Sequence, residues 1–363
     1  MDIYERLHAR FAAHPLGAPR NDKFLEILRI LYTPEEAELA LHIGFYPARA
    51  ADIAEAAGLP EERVIELCES MADKGALYGF QAGEQRRYCL LPSAPGLFEF
   101  PLMVRQEALR LTPAERERLG RLWDEYYHEG WGHELAGSPT PPARVLPVSE
   151  AIPVDLHVFP FEEAAHYIRT ARHVAVSDCP CRTSKPSCDA PVDVCLTLNY
   201  TARFLSERNA ARLITPEEAL AVLQRAEDAG LVHCATNTAD RVDYICNCCP
   251  CCCDILGVMT RLHGVVARVE SNFRAVVDEG TCIACGDCLE RCPMEAITLG
   301  DVAVVDQERC IGCGLCATAC PAEAIALERV AETPPPADYR ELITRIGEEK
   351  GRLEVFAGHL HPS

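Results

Sequence analysis

The chain has 363 residues, 48% of them hydrophobic, and carries a net charge of −20 at pH 7. That length holds two or three domains, and so acidic a field disfavours phosphate backbones and acidic membrane faces as partners. The opening residues Met1-Asp2-Ile3-Tyr4-Glu5-Arg6 lack the charged-then-apolar order of a secretory leader, and no apolar run reaches the ~18 residues of a membrane span, so a cytoplasmic location is expected.

Thr33-Pro34-Glu35-Glu36 is a helix start: a capping threonine, proline at the first helical position and glutamate three after the cap. Residues 49–57 and 61–74 read as two further helices around Gly58-Leu59-Pro60, and 76–91 as a hairpin with Gly83 near its tip. This order resembles a winged helix-turn-helix module. The resemblance implies DNA binding, but the helix that would enter the groove carries Glu61, Glu62, Glu66, Glu69 and Asp73 against Arg63 and Lys74. A groove-reading helix needs the reverse balance, and Arg86 and Arg87 are the one basic pair nearby, so packing or partner docking is the expected role.

Residues 102–135 are predicted helical, with Leu119, Leu122, Trp123 and Tyr126 set for core packing. Gly137-Ser138-Pro139-Thr140-Pro141-Pro142 then reads as a linker. Beyond it the pattern becomes mixed α/β: a strand at Val174-Ala175-Val176, a helix from Thr215-Pro216-Glu217-Glu218 to about Gly230, and a strand at Leu231-Val232-His233-Cys234.

Cysteine usage is the outlier. Of 21 cysteines, two lie in the first 150 residues, eleven between Cys179 and Cys253, and eight between Cys282 and Cys320. In a reducing compartment such thiols stay free unless a metal takes them. The middle set is Cys179, Cys181, Cys188 and Cys195, then Cys234, then Cys246, Cys248, Cys249, Cys251, Cys252 and Cys253. Two Cys-Pro-Cys units, one at each end of the region, invite pairing across the fold. Adjacent side chains point apart on a helix or strand, so six cysteines within eight positions cannot all serve one centre. One or two further iron–sulfur clusters are expected, drawn from Cys179, Cys181, Cys188 and Cys195 and from a subset of 246–253. Cys234 ends an apolar strand and is expected in the core, and Cys68 and Cys89 are expected to be inert. Arg182 either tunes a cluster or pairs with Asp178.

Near the end, Cys282-x2-Cys285-x2-Cys288-x3-Cys292-Pro293 recurs 28 residues later as Cys310-x2-Cys313-x2-Cys316-x3-Cys320-Pro321. Three thiolates on a tight loop reach three corners of an iron–sulfur cube; a fourth past a turn reaches the other cube. Zinc accepts paired C-x2-C units, but three closely spaced thiolates in each unit favour the cubane. Gly286, Gly312 and Gly314 let the backbone wrap close, and Ile283 and Ile311 are expected to shield the clusters from water.

This run resembles bacterial two-cluster ferredoxins. The resemblance implies two 4Fe-4S clusters, one on Cys282, Cys285, Cys288 and Cys320, the other on Cys310, Cys313, Cys316 and Cys292. The arrangement as a whole is similar to multidomain ferredoxin-type proteins of anaerobic metabolism, which implies electron transfer with a protein partner. The expected fold is multidomain α+β: a helical, winged-helix-like domain at 1–136, a linker at 137–144, a cysteine-rich α/β domain at 145–262, a dicluster ferredoxin domain at 263–330 and a helical tail at 331–363, loose at its end.

Three functional readings follow. The first is an electron carrier that relays single electrons through the middle site. The second is a reductase whose middle cluster binds substrate. The third is a redox-sensing DNA-binding regulator. H-E-x-x-H, G-x-S-x-G, P-loop and dinucleotide fingerprints are all missing.

Overall fold

The computed structural model describes residues 2–83, 85–103 and 111–361. Its first part is built from helices Ile3–Ala13, Asp22–Leu31, Pro34–Ala40, Ala50–Ala57 and Glu61–Asp73, followed by the hairpin Leu77–Ala82 and Gln85–Leu90. The short strand Ala48–Arg49 pairs with the second hairpin strand, making a three-stranded sheet. Thr33 forms the capping box with Glu36 that its sequence calls for.

The stretch 102–135 is not one helix. Residues 104–110 of that expected helix lie outside the described residues. Beyond them, Pro113–Tyr126 is helical and a wide turn at Tyr127–Trp131 follows, with Gly130 at φ 144. Leu119, Leu122, Trp123 and Tyr126 are buried against the first helices.

The middle of the chain is an antiparallel six-stranded sheet. Its order is Ala143–Val145, Val232–Thr236, Tyr244–Cys248, Cys195–Leu198, Val174–Ser177, Arg212–Ile214. Alternation gives it two unlike faces. On one face Leu196, Leu198, Ala235 and Ile245 pack under helices Ala164–Thr170 and Pro216–Asp228. The other face presents Cys195, Thr197, Cys234, Cys246 and Cys248 toward the amino-terminal helices. Helix Asn199–Glu207 joins the two parts: Phe204 meets Tyr78 at 4.9 Å and Phe100 at 5.6 Å, and Tyr200 meets Phe80 at 5.4 Å. The proline-rich segment before the sheet is tied down, with Ser138 and Thr140 donating to the Glu349 carboxylate.

The residues after 263 carry a duplicated unit. Strand pair Ile297–Leu299 with Ala303–Val305 is echoed by Ile325–Leu327, 28 residues after the first strand, with Ala275–Val277, 28 residues before the second. Left-handed backbone recurs at the same offset: Ala284 and Gly312, Gly286 and Gly314, Glu295 and Glu323. This unit docks on the middle sheet through Val148 N–H to the Cys313 carbonyl at 2.9 Å and a buried Arg329–Glu162 ion pair at 2.7 Å. Arg291 donates to the Glu227 and Asp228 carbonyls, at a helix end that favours cations.

The tail is not loose. Helices Tyr339–Glu349 and Leu353–Ala357 pack Leu342, Ile343, Ile346 and Phe356 against Leu16, and Phe45 and Tyr46 donate backbone bonds to the His359 and Leu360 carbonyls. Among the described residues, no helix is long and apolar enough to cross a membrane.

The duplicated unit separates two left-handed positions by their surroundings. A Cβ on Gly312 would overlap the Phe273 carbonyl oxygen and the Ser271 hydroxyl. Its repeat mate Ala284 holds φ 52 with a Cβ in place. Gly312→Ala is expected to destabilise the protein by at least about 2 kcal/mol in chemical denaturation. Ala284→Gly is expected to stabilise it by roughly 1 kcal/mol, by relieving left-handed strain.

Candidate metal centres

Two small voids lie in the duplicated unit. Cys282, Cys285, Cys288 and Cys320 line one; Cys292, Cys310, Cys313 and Cys316 line the other. Each void thus takes three cysteines from one repeat and the fourth from its mate. Backbone N–H groups point at sulfur with the same two-fold logic. Ala296 donates to Cys292 and Ala324 to Cys320, each at 3.3 Å; Ala303 donates to Cys282 and Ala275 to Cys310, each at 3.5 Å. Donors to sulfur suit thiolates bound to iron, because they stabilise the negative charge of the reduced cluster. The isoleucines expected as shields behave differently. Ile311 is 1% exposed and belongs to the apolar cluster that the unit shares with Val145 and Val148, whereas Ile283 is 65% exposed.

The middle cysteines divide into two groups. Cys188, Cys249, Cys251 and Cys252 bring their sulfurs within 4.8 Å of one another. Cys179, Cys181, Cys195, Cys234, Cys246, Cys248 and Cys253 instead line a chamber of about 420 Å³. Cys188 therefore leaves the partners nearest it in sequence, and Cys234, expected as core, is buried at the chamber wall directly across from Cys246. Cys89 also lines the chamber from the opposite side, while Cys68 stays in the amino-terminal core.

Local structure explains the division. Strand alternation turns Cys246 and Cys248 toward the chamber and Asn247 away, where it bonds His233 and the Val194 carbonyl. The turn at 249–252 swings its thiols outward. Cys253 returns to the chamber as cap of helix Asp254–Arg261, its sulfur accepting from Leu256 N–H at 3.4 Å. Arg182 does not pair with Asp178: its Nη1 donates to the Asn247 carbonyl at 2.9 Å and to Cys249 sulfur at 3.7 Å.

The donor chemistry of the chamber fits an iron–sulfur group. Arg182 is 3% exposed, lines the chamber and leaves Nε and Nη2 without partners; Thr197 is 2% exposed and its hydroxyl is likewise unpaired. Buried polar groups of this kind call for an acceptor, and an anionic cluster's sulfurs are one. The thiols are held neutral: a hydrogen bond with Cys181, then burial, push Cys179 well up, and Cys246 with burial does the same to Cys195. Metal binding here must expel protons. Cys249 runs the other way; burial pushes it up, but the Arg182 hydrogen bond brings it below the ordinary thiol value.

Glu99, Asp243 and Tyr244 line the same chamber. Burial raises all three, Glu99 from 4.5 to about 7. No sequence signal marks Glu99, because its neighbours across the chamber come from distant segments.

Residues 275–327 match the family model described as a 4Fe-4S dicluster domain. No curated protein and no solved structure matches the chain. The dicluster match supports two 4Fe-4S clusters and iron–sulfur electron transfer.

A raised Glu99 has a measurable consequence. Stability from its neutral form is complete below about pH 4.5 and is lost as pH rises through about 7. The stability difference between wild type and Glu99→Gln is expected to move against the wild type across that window. A protonated-carboxyl infrared band is expected to persist above pH 6 in the wild type and to vanish in the variant.

Proposed function

We propose that this chain is an iron–sulfur relay that takes single electrons from a protein partner at its dicluster end and passes them to the cysteine-lined chamber. The carrying observation is continuity of packing. Cys234, Cys248 and Cys253 of the chamber share one apolar cluster with Cys288, Cys310 and Cys316 of the duplicated unit. In this reading Cys282, Cys285, Cys288 and Cys320 hold the outer cluster, and Cys292, Cys310, Cys313 and Cys316 the inner one. When bound, the clusters supply one-electron storage, at potentials set by hydrogen bonds to sulfur and by exposure. The chamber thiols hold one further cluster. A reducing, oxygen-poor cytoplasm suits so many free thiols.

The outer set faces the partner. Cys285 is exposed, as are Ile283, Leu289 and Leu299, and Glu279, Asp287 and Asp301 stand around them. An apolar patch with an acidic rim suits a partner with a basic rim, which it would meet faster at low salt. The winged-helix-like module serves as a wall of the chamber. Several of its basic groups are engaged: Arg63 pairs with Glu35 and Glu66, Lys74 with Glu36, and Arg86 with Glu69. That leaves little for a phosphate backbone.

A second reading is favoured by the chamber itself. Its volume lies in the range of small-molecule sites, and Glu99 and Tyr244 can hold protons beside the thiols. A reductase would deliver electrons through the thiol-bound cluster and protons from these two side chains.

Anaerobic iron and sulfide counting tests both readings; only about eight irons per chain would leave the chamber without a cluster. Cys320→Ser removes a ligand of the outer set. It is expected to slow chamber reduction by a protein donor at least tenfold, while dithionite still reduces the chamber. Rapid-freeze EPR reads both rates, and an unchanged rate with the protein donor would refute the relay order. A small molecule that perturbs the chamber's EPR signal would favour the reductase.

A further inference from the structure

We infer that Cys188, Cys249, Cys251 and Cys252 hold a single zinc ion, separate from every iron–sulfur centre of the chain. The argument is geometric. Cys188 sulfur lies 3.7 Å from Cys249 and 3.8 Å from Cys252, and Cys251 lies 3.8 Å from Cys252. Four thiolates at about 2.3 Å around one tetrahedral zinc sit roughly 3.8 Å apart. A cubane cannot gather its thiolates so tightly, because each sulfur extends outward from a different iron corner.

The same structure supplies the control. Among the described residues, neither ferredoxin quartet and no trio of chamber thiols draws within the 4.8 Å that encloses this tetrad. The two ferredoxin quartets stand around voids, and these four converge on a point.

The surroundings suit a closed structural ion. Binding one Zn²⁺ to four thiols releases four protons and leaves two negative charges on the site. Arg182 lies 3.7 Å from Cys249 sulfur and offsets part of that charge. Cys249 and Cys252 are buried and Cys251 is exposed, so the site sits at the protein's edge with all four positions filled by protein. A filled shell leaves no coordination position for substrate. The ion would join the loop after helix Pro180–Ser184 to the turn after strand Tyr244–Cys248. Cys248 and Cys253 flank that turn but line the chamber, so they stay outside the zinc's ligand shell.

The test uses the full-length protein purified without oxygen. Elemental mass spectrometry is expected to find about one zinc per chain beside the iron, and zinc-edge X-ray absorption four sulfur neighbours at about 2.3 Å. Cys251→Ser, at an exposed position, is expected to lower zinc to near zero and leave iron unchanged. Wild-type protein without zinc, or zinc bound by nitrogen and oxygen, overturns the inference. So does a Cys251→Ser variant that loses about four irons, the content of one cubane. A lone iron in place of zinc, seen by its ferric thiolate absorption, overturns it as well. Should the variant fail to fold, the wild-type zinc spectrum decides.

Discussion

The six-stranded sheet separates hydrocarbon from sulfur. Period-two alternation sends Leu196, Leu198, Ala235 and Ile245 to the helix-covered face and Cys195, Thr197, Cys234, Cys246 and Cys248 to the other. A one-residue slip of any central strand would exchange the two sets, placing thiols in the helical core and leucines in the chamber. Register is thus fixed by apolar burial on one side, and the cysteine-bearing face inherits its precision from that. The thiols need not direct folding, which matters because neutral, mutually hydrogen-bonded thiols contribute little to it.

The dicluster unit solves a different problem by repetition. One loop design, used twice with a 28-residue offset, lends each void its fourth cysteine and its N–H donors from the other copy. The copies differ where they meet the rest of the protein. Gly312 and Gly314 lie against Phe273, Ala151 and Val148 and have no room for a side chain, whereas Ala284 and Ile283 face outward. Equivalent backbones therefore end in unequal exposure. Since exposure is one control on cluster potential, the duplication builds in an inside and an outside.

What the sequence disclosed follows the range of the interactions involved. Capping boxes at Thr33 and Thr215, the strand at Val174–Val176 and the twice-repeated cysteine run are local patterns, and all are legible. Cys246-Asn247-Cys248 also carries its own alternation, from which a shared face can be read. The partition of the remaining middle cysteines is not local. Cys188 meets Cys249 across 61 residues, and no spacing rule links them. Cys234 looks like an ordinary core cysteine until its strand partner is known to be Cys246. Glu99 and Thr197 become notable only when the helices and the sheet close around one space. The end of the chain, expected to be loose after its helix, is held for the same reason: His359 and Leu360 meet Phe45 and Tyr46, a place to dock that only the assembled fold provides.

Residues 339–356 supply Tyr339, Ile343 and Phe356 to the chamber wall, and they are synthesised after every other wall. Until that segment folds back, one side of the chamber stands open on the nascent chain. Tyr339, Ile343 and Phe356 act as a lid contributed by residues distant in sequence from the cysteines. Packing of these helices thus sets how far the chamber is shut off from solvent.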